Sequence, residues 1–164
     1  LVLSTLHTKN AIGAIPRLID MNIEPFLINS TVSIIISQRL VRILCPDCRK
    51  KIKPENKVRD YIIEKLESLP PVIKKEIKIP KNIYIYLPNG CENCGFKGYT
   101  GRSGLFEILK MTDSLAKLIS HATVESAIIQ EAKNQGMITM EQDGITIHGI
   151  ILNVLEIMFH FVLL

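Results

Sequence analysis

The most chemically capable residues in this sequence are four cysteines in two pairs, Cys45-Pro46-Asp47-Cys48 and Cys91-Glu92-Asn93-Cys94. Two intervening residues let both thiolates of one knuckle reach a single tetrahedral metal at about 2.3 Å, and two knuckles complete a four-thiolate shell. All four cysteines are used. Zinc suits such a set, being redox-inert, tolerant of tetrahedral thiolate and at home in a reducing compartment where disulfides do not persist. The saturated shell leaves no open coordination position, so the metal is expected to be structural and not catalytic. Two disulfides, a thioredoxin-like redox pair and an iron–sulfur cluster are the competing readings, and paired CxxC knuckles favour the metal. Four thiolates around Zn²⁺ carry a net charge of −2, which Arg49, Lys50, Lys51, Lys97 and Arg102 can offset.

The elements that must hold the two knuckles follow from periodicity. Residues 49–90 between them have too few apolar side chains to fold alone, so the metal is expected to close this loop. Within it the spacing of Val58, Ile62, Ile63 and Leu66 predicts a charged helix over 56–68. Pro70-Pro71 predicts extended chain and NIYIYLP a strand. Alternating Lys and Ile in KKEIKIPK reads as a charged, solvated edge strand. The glycine-rich CGFKGYTGRSG reads as too tightly turned for helix or ordinary strand, with SGLFEIL a short strand after it.

On either side, LVLSTL reads as a buried strand ending in the polar turn His7 to Asn10, so the chain is expected to open inside a domain. Asn10 caps a helix over 11–21, with Ile12, Ile15, Leu18 and Ile19 on one face and Pro16 bending it. A second helix is expected from Pro25 through Leu44, buried around residues 32–36. Thr112-Asp113 opens a helix to His121, and Thr123 opens another that Gly136 stops. The tail 150–164 carries a polar stripe of Asn153, Glu156 and His160, which predicts an amphipathic helix shorter than the roughly 20 residues of a membrane span.

Composition agrees with a globular protein: 164 residues, 47% hydrophobic and 22% charged. A net charge of +4, 5% aromatic residues and no Trp give little footing for nucleic acid, and none is expected as a partner.

In order and spacing, STLHT, AIGAIPRLIDM, SQRLVRILCPDC, CENCGFKGYTGRSGLFEIL and GMITMEQDG closely resemble the C-terminal part of the type II secretion and type IV pilus assembly ATPases, the secretion-superfamily P-loop motors. The resemblance implies an α/β protein: the C-terminal portion of a RecA-like ATPase domain (1–44), a tetracysteine zinc module (45–104) and a helical C-terminal subdomain (105–164). It implies that STLHT is a His box and that His7 faces the γ-phosphate region of a nucleotide. The sequence agrees, because ligands of open α/β sheets sit outside the carboxyl ends of strands. The resemblance does not separate two uses of Arg39 and Arg42, which can serve phosphate charge or subunit contacts, or form salt bridges at the end of a helix. It implies that GYTGRSG packs the metal module onto the motor domain, with Arg102 in an ion pair for which Glu107 is one candidate partner.

The resemblance further implies a homo-oligomeric ring, a hexamer, in the bacterial cytoplasm at the inner membrane, working with a platform protein of the secretion or pilus machine. Neither GxxxxGK[ST] nor a strand ending in an acidic pair ahead of the His box is present in the sequence. ATP and Mg²⁺ are therefore expected only in an intact motor, and this chain alone is expected not to hydrolyse ATP. After GMITMEQDG the tail departs from the family's pattern. A stand-alone zinc-binding interaction module, for protein or nucleic acid, is the alternative reading.

Overall fold

The structure is a computed structural model, and it describes residues 1–77, 82–121 and 124–146. The described residues form a mixed helix and strand fold. In chain order these are α1 (Ala14–Asp20), α2 (Pro25–Thr31), β1 (Ile34–Leu44), β2 (Lys50–Ile52), α3 (Asn56–Glu67), α4 (Pro71–Glu76), β3 (Ile85–Leu87), β4 (Tyr99–Lys110), α5 (Asp113–Ser120), α6 (Glu125–Asn134) and α7 (Met140–Thr146). β1 pairs with β4, and β2 pairs with β3.

The chain divides into two compact units. The first takes Leu1–Ser37 and Glu107–Ile138. Its core gathers Ala11, Ile15, Leu109, Leu115, Ile119 and Ala132, all at most 1% exposed. Leu115 and Ile119 stand four residues apart and so share one face of α5, the face that is buried. Thr112 caps this helix by accepting from the Leu115 amide at 3.2 Å. Asn29 of α2 fastens to α5 by donating to the Ala116 carbonyl at 2.8 Å and to Ser120 Oγ at 2.7 Å.

The second unit takes Gln38–Phe106 and the described residues from Thr139 on. Val41, Leu105 and Met140 form one core cluster, with Ile43 packed on it. α3 buries Ile62 and Leu66, again four apart. α7 opens with a reciprocal cap: Thr139 Oγ1 accepts from the Gln142 amide at 3.2 Å, and Gln142 Oε1 accepts from the Thr139 amide at 2.9 Å. The Gln142 side-chain amide then donates to the Lys65 carbonyl at 3.3 Å and Ser68 Oγ at 3.0 Å, tying α7 to the end of α3. Asp143, also buried, accepts from the Phe106 amide at 2.9 Å.

Several elements differ from the sequence expectation. Residues 1–6 form no strand, since extended chain becomes a strand only when a neighbour satisfies its amides and carbonyls. The helix expected from Pro25 to Leu44 ends at Thr31, and Ile34–Leu44 is a strand. Ile34, Ile35, Ile36, Val41 and Ile43 are β-branched and lose rotamer freedom in a helix, and from Ile34 to Leu40 burial alternates with a period of two. That alternation leaves Ile34, Ile36 and Leu40 about half exposed on the other face.

Pro71 does not force extended chain but starts α4 at its first position, where the missing N–H is no loss, while Pro70 is the extended residue before it. Lys74–Glu76 thus lie in a helix and not in an edge strand; residues 78–81 of that stretch lie outside the described residues. GYTGRSG is strand from Tyr99 onward. The tight turning is confined to the residues before it, where Gly95, Phe96 and Gly98 all have positive φ. The expected helices over 11–21, 56–68, 112–121 and 123–135 are present in shortened form. Thr123 and the tail 147–164 lie outside the described residues.

Candidate metal centre and the His7 loop

The two knuckles are brought together by the ribbon between them. β2 leaves the first knuckle and β3 leads toward the second, paired antiparallel with Lys50 opposite Leu87, Lys51 opposite Tyr86 and Ile52 opposite Ile85. Cations lie over the ribbon's tyrosines, Arg49 on Tyr86 at 4.8 Å and Lys51 on Tyr84 at 4.2 Å from the ring centroids. Asn93 Nδ2 donates to Asp47 Oδ2 at 3.1 Å, joining the middles of the two CxxC loops.

The second knuckle is wound as a 3₁₀ turn over Glu92–Cys94, closed by Gly95 in the left-handed region. Gly98 is required where it stands. Its φ is +78°, and a Cβ there would meet the Pro88 Cβ at 2.6 Å. From that position its amide donates to Cys94 Sγ at 3.2 Å and its carbonyl accepts from the Cys45 amide at 2.9 Å. The Cys91 amide also donates to Cys94 Sγ, at 3.2 Å.

All four Sγ atoms lie within 4.8 Å of one another. Cys45 to Cys91 and Cys48 to Cys94 are each 3.9 Å apart, and Cys91 to Cys94 is 3.8 Å. A metal bonded to four thiolates at about 2.3 Å sets neighbouring sulfurs about 3.8 Å apart, because a tetrahedron's edge is about 1.63 times its centre-to-corner distance. The cluster therefore has the size of a four-thiolate site. It does not have the geometry of disulfides, whose sulfurs stand about 2.05 Å apart, and all four cysteines are free.

The thiols are unequal. Desolvation pushes Cys94 up, but the amides of Cys91 and Gly98 and its contacts with Cys91 and Cys48 outweigh it, leaving the thiol at about 6. Desolvation dominates at Cys48, against a hydrogen bond from the Gly90 backbone, and raises it to about 11. At Cys91 the Cys94 backbone and the Cys48 thiol lower the thiol, but desolvation and the Cys94 and Cys45 thiols together outweigh them, so it ends above its ordinary value.

The other site residues lie elsewhere. Arg42 is exposed on β1 and stacks over the Tyr99 ring at 4.1 Å, and Arg39 is half-buried on the same strand. His7 is exposed, in the first unit, on a loop ahead of α1. It lines a shallow, open depression of about 330 Å³ together with Lys9, Asn10, Arg17, Asp20 and Glu125. Glu107, the candidate partner for Arg102, is 4% exposed, and its Oε2 accepts from the Ala11 amide at 2.8 Å. The sequence reading overlooked this contact and the Thr139–Gln142 cap. The cap carries a readable signal, T-x-x-Q before a helix, whereas the contact between residues 96 apart carries none.

Among the described residues no helix is long and apolar enough to cross a membrane. Residues 1–155 match the family described as Type II/IV secretion system protein. The chain is 38% identical over 145 residues to a type II secretion system protein E of Dickeya dadantii, covering 88% of this chain and 26% of that protein. It is 43% identical over 128 residues to a type II secretion system ATPase E of Vibrio cholerae, covering 78% of this chain and 23% of that protein. It is 37% identical over 145 residues to the type IV pilus assembly ATPase PilB of Myxococcus xanthus, covering 88% of this chain and 24% of that protein. The chain thus spans about a quarter of the length of these relatives.

Proposed function

The chain belongs to the Type II/IV secretion system protein family, and from that premise we propose that it serves as a segment of a motor ATPase that powers type II secretion or type IV pilus assembly. The observation that carries this reading is a four-thiolate cluster of metal-site dimensions inside a segment whose relatives bear those names. In this reading residues 1–44 are the back part of a RecA-like core, 45–104 a zinc module and 105–164 a helical subdomain. Cys45, Cys48, Cys91 and Cys94 hold one structural Zn²⁺, which supplies cross-linking and no catalysis.

His7 senses the nucleotide's terminal phosphate from the rim of its depression. Arg39 and Arg42 serve phosphate charge or subunit contacts, and the cation stacking at Tyr99 gives Arg42 a fixed position from which to do so. The working form is a ring of such motors, a hexamer, in the bacterial cytoplasm against an inner-membrane platform protein. The P-loop and the magnesium carboxylates come from motor sequence outside residues 1–164, so the chain alone binds no ATP productively.

The test is a chimera in which this chain replaces the matching stretch of the Vibrio cholerae relative. Mg²⁺-dependent ATP turnover is expected from the chimera and none from the chain alone. His7→Ala is expected to lower kcat on the order of tenfold or more, as loss of one contact to a transferring phosphoryl group does. A folded, assembled chimera whose turnover is unchanged by His7→Ala would overturn the role given to His7. A chimera that assembles but does not turn over ATP would overturn the motor assignment.

A further inference from the structure

Residues 49–90, which join the two knuckles, hold 11 of the chain's 20 Lys and Arg but 5 of its 16 Asp and Glu, a net +6 against −2 for all the rest. The chain's positive excess is thus concentrated in one loop. The ribbon sorts part of it onto one face. Ile52 lies opposite Ile85, which is 2% exposed, and on the other face Lys51 lies opposite Tyr86. On that outer face Arg49 lies over Tyr86 and Lys51 over Tyr84, and Lys53, exposed, follows at the next step of the same period. Neither 49–53 nor 82–87 contains an acidic residue.

A lysine that only keeps a strand edge from pairing extends into water. Lys51 does not: its Nζ is 4.2 Å from the Tyr84 ring centroid, while Tyr84 itself stays 38% exposed. The ring holds the ammonium in place at the surface, which lowers the ordering cost of binding an anion to it. The same stacking bears on which anion that is. Cations occupy the ring faces of Tyr84 and Tyr86 on this side, where bases of a single-stranded nucleic acid would stack. A lipid surface is served by cations anywhere on a face and sets no spacing between them. Here the cations stand at alternate residues, which along a strand are about 6.8 Å apart. That is the repeat of side chains on one side of an extended polypeptide, whereas one turn of a helix rises about 5.4 Å.

We propose that the outer face of the β2–β3 ribbon is a docking strip for an extended acidic segment of a partner polypeptide, with carboxylates at alternate residues set against Lys51 and Lys53 beside the rings of Tyr84 and Tyr86. The strip goes beyond the motor assignment and needs neither a nucleotide nor His7. Its test uses the full chain loaded with Zn²⁺. A peptide of alternating Glu and Thr is expected to bind saturably at about 0.1 M salt and to weaken as salt rises. The same residues arranged as one Glu block and one Thr block should bind less tightly. No saturable binding, or equal affinity for the two peptides, overturns the proposal. On titration of the unaltered chain with the alternating peptide, the amide signals of 49–53 and 84–87 should shift first, and shifts confined elsewhere overturn it.

Lys51→Gln and Lys53→Gln should each weaken binding of the alternating peptide about two- to fivefold. Lys110→Gln and Lys117→Gln remove the same charge from exposed positions of the first unit and should leave binding essentially unchanged. Equal losses in the two pairs would reduce the effect to net charge and overturn the strip. Tyr84→Phe keeps the ring under Lys51 and should bind as the unaltered chain does. Vesicles of phosphatidylglycerol and phosphatidylcholine in equal parts, or a thymidine oligonucleotide, are the competing probes. Either one binding this face more tightly than the peptide at the same salt overturns the choice of a polypeptide partner.

Discussion

The amide of Cys45 donates to the carbonyl of Gly98 at 2.9 Å, so the first cysteine of one knuckle is fastened to the glycine four residues past the end of the other. Gly98 also donates its own amide to Cys94 Sγ. One residue with positive φ therefore serves both halves of the cluster. Gly98→Ala would place a Cβ 2.6 Å from Pro88 in a backbone region that favours glycine. A loss of about 1–3 kcal/mol in unfolding free energy is expected, with weaker metal retention, measured by denaturant unfolding and competition with a chelator. Gly95→Ala, where a Cβ meets nothing within 4 Å, should cost less.

Proton release should accompany metal binding, because ligands bind as thiolates. Cys94, at about 6, is already deprotonated near pH 7.5, whereas Cys48 at about 11 and Cys91, raised, are protonated. Metal binding at that pH should release about two protons or more. The sign follows: affinity falls as pH falls, since protons compete for the sulfurs, and falls further below about 6 as Cys94 takes up its proton. Calorimetric titration with Zn²⁺ in buffers of different ionisation enthalpy gives the number.

Gln142 is expected to matter more than its place in a polar run suggests. It is 5% exposed, completes the cap with Thr139 and donates to Lys65 and Ser68. Gln142→Ala leaves the part-buried Thr139 amide without its acceptor and removes the bonds to the Lys65 carbonyl and Ser68 Oγ, and should cost about 1–2 kcal/mol. Thr139→Val removes only the capping oxygen and should cost about 1 kcal/mol. Thermal unfolding of the two variants separates these.

The sequence made the cysteine cluster legible because its signal is local: two residues inside each pair, glycines around the second, and a Pro in the first. The helices at 56–67, 113–120 and 125–134 were legible for the same reason, through apolar spacing and caps such as Thr112. What was not legible depended on neighbours. Ile34–Leu44 joins directly to a true helix, and its apolar richness hides the period-two burial that only its pairing with β4 creates. Glu107 reads from the sequence only as an ion-pair candidate for Arg102, and nothing local signals that Ala11 lies against it.

The metal centre is tested most directly by the metal content and X-ray absorption of the purified full chain. One Zn²⁺ per chain is expected, with four sulfur ligands at about 2.3 Å, and Cys91→Ser should lose the metal and the cooperative unfolding of the module together. A chain that folds cooperatively with no metal, and whose unfolding is unchanged by Cys91→Ser, would contradict the four-thiolate site.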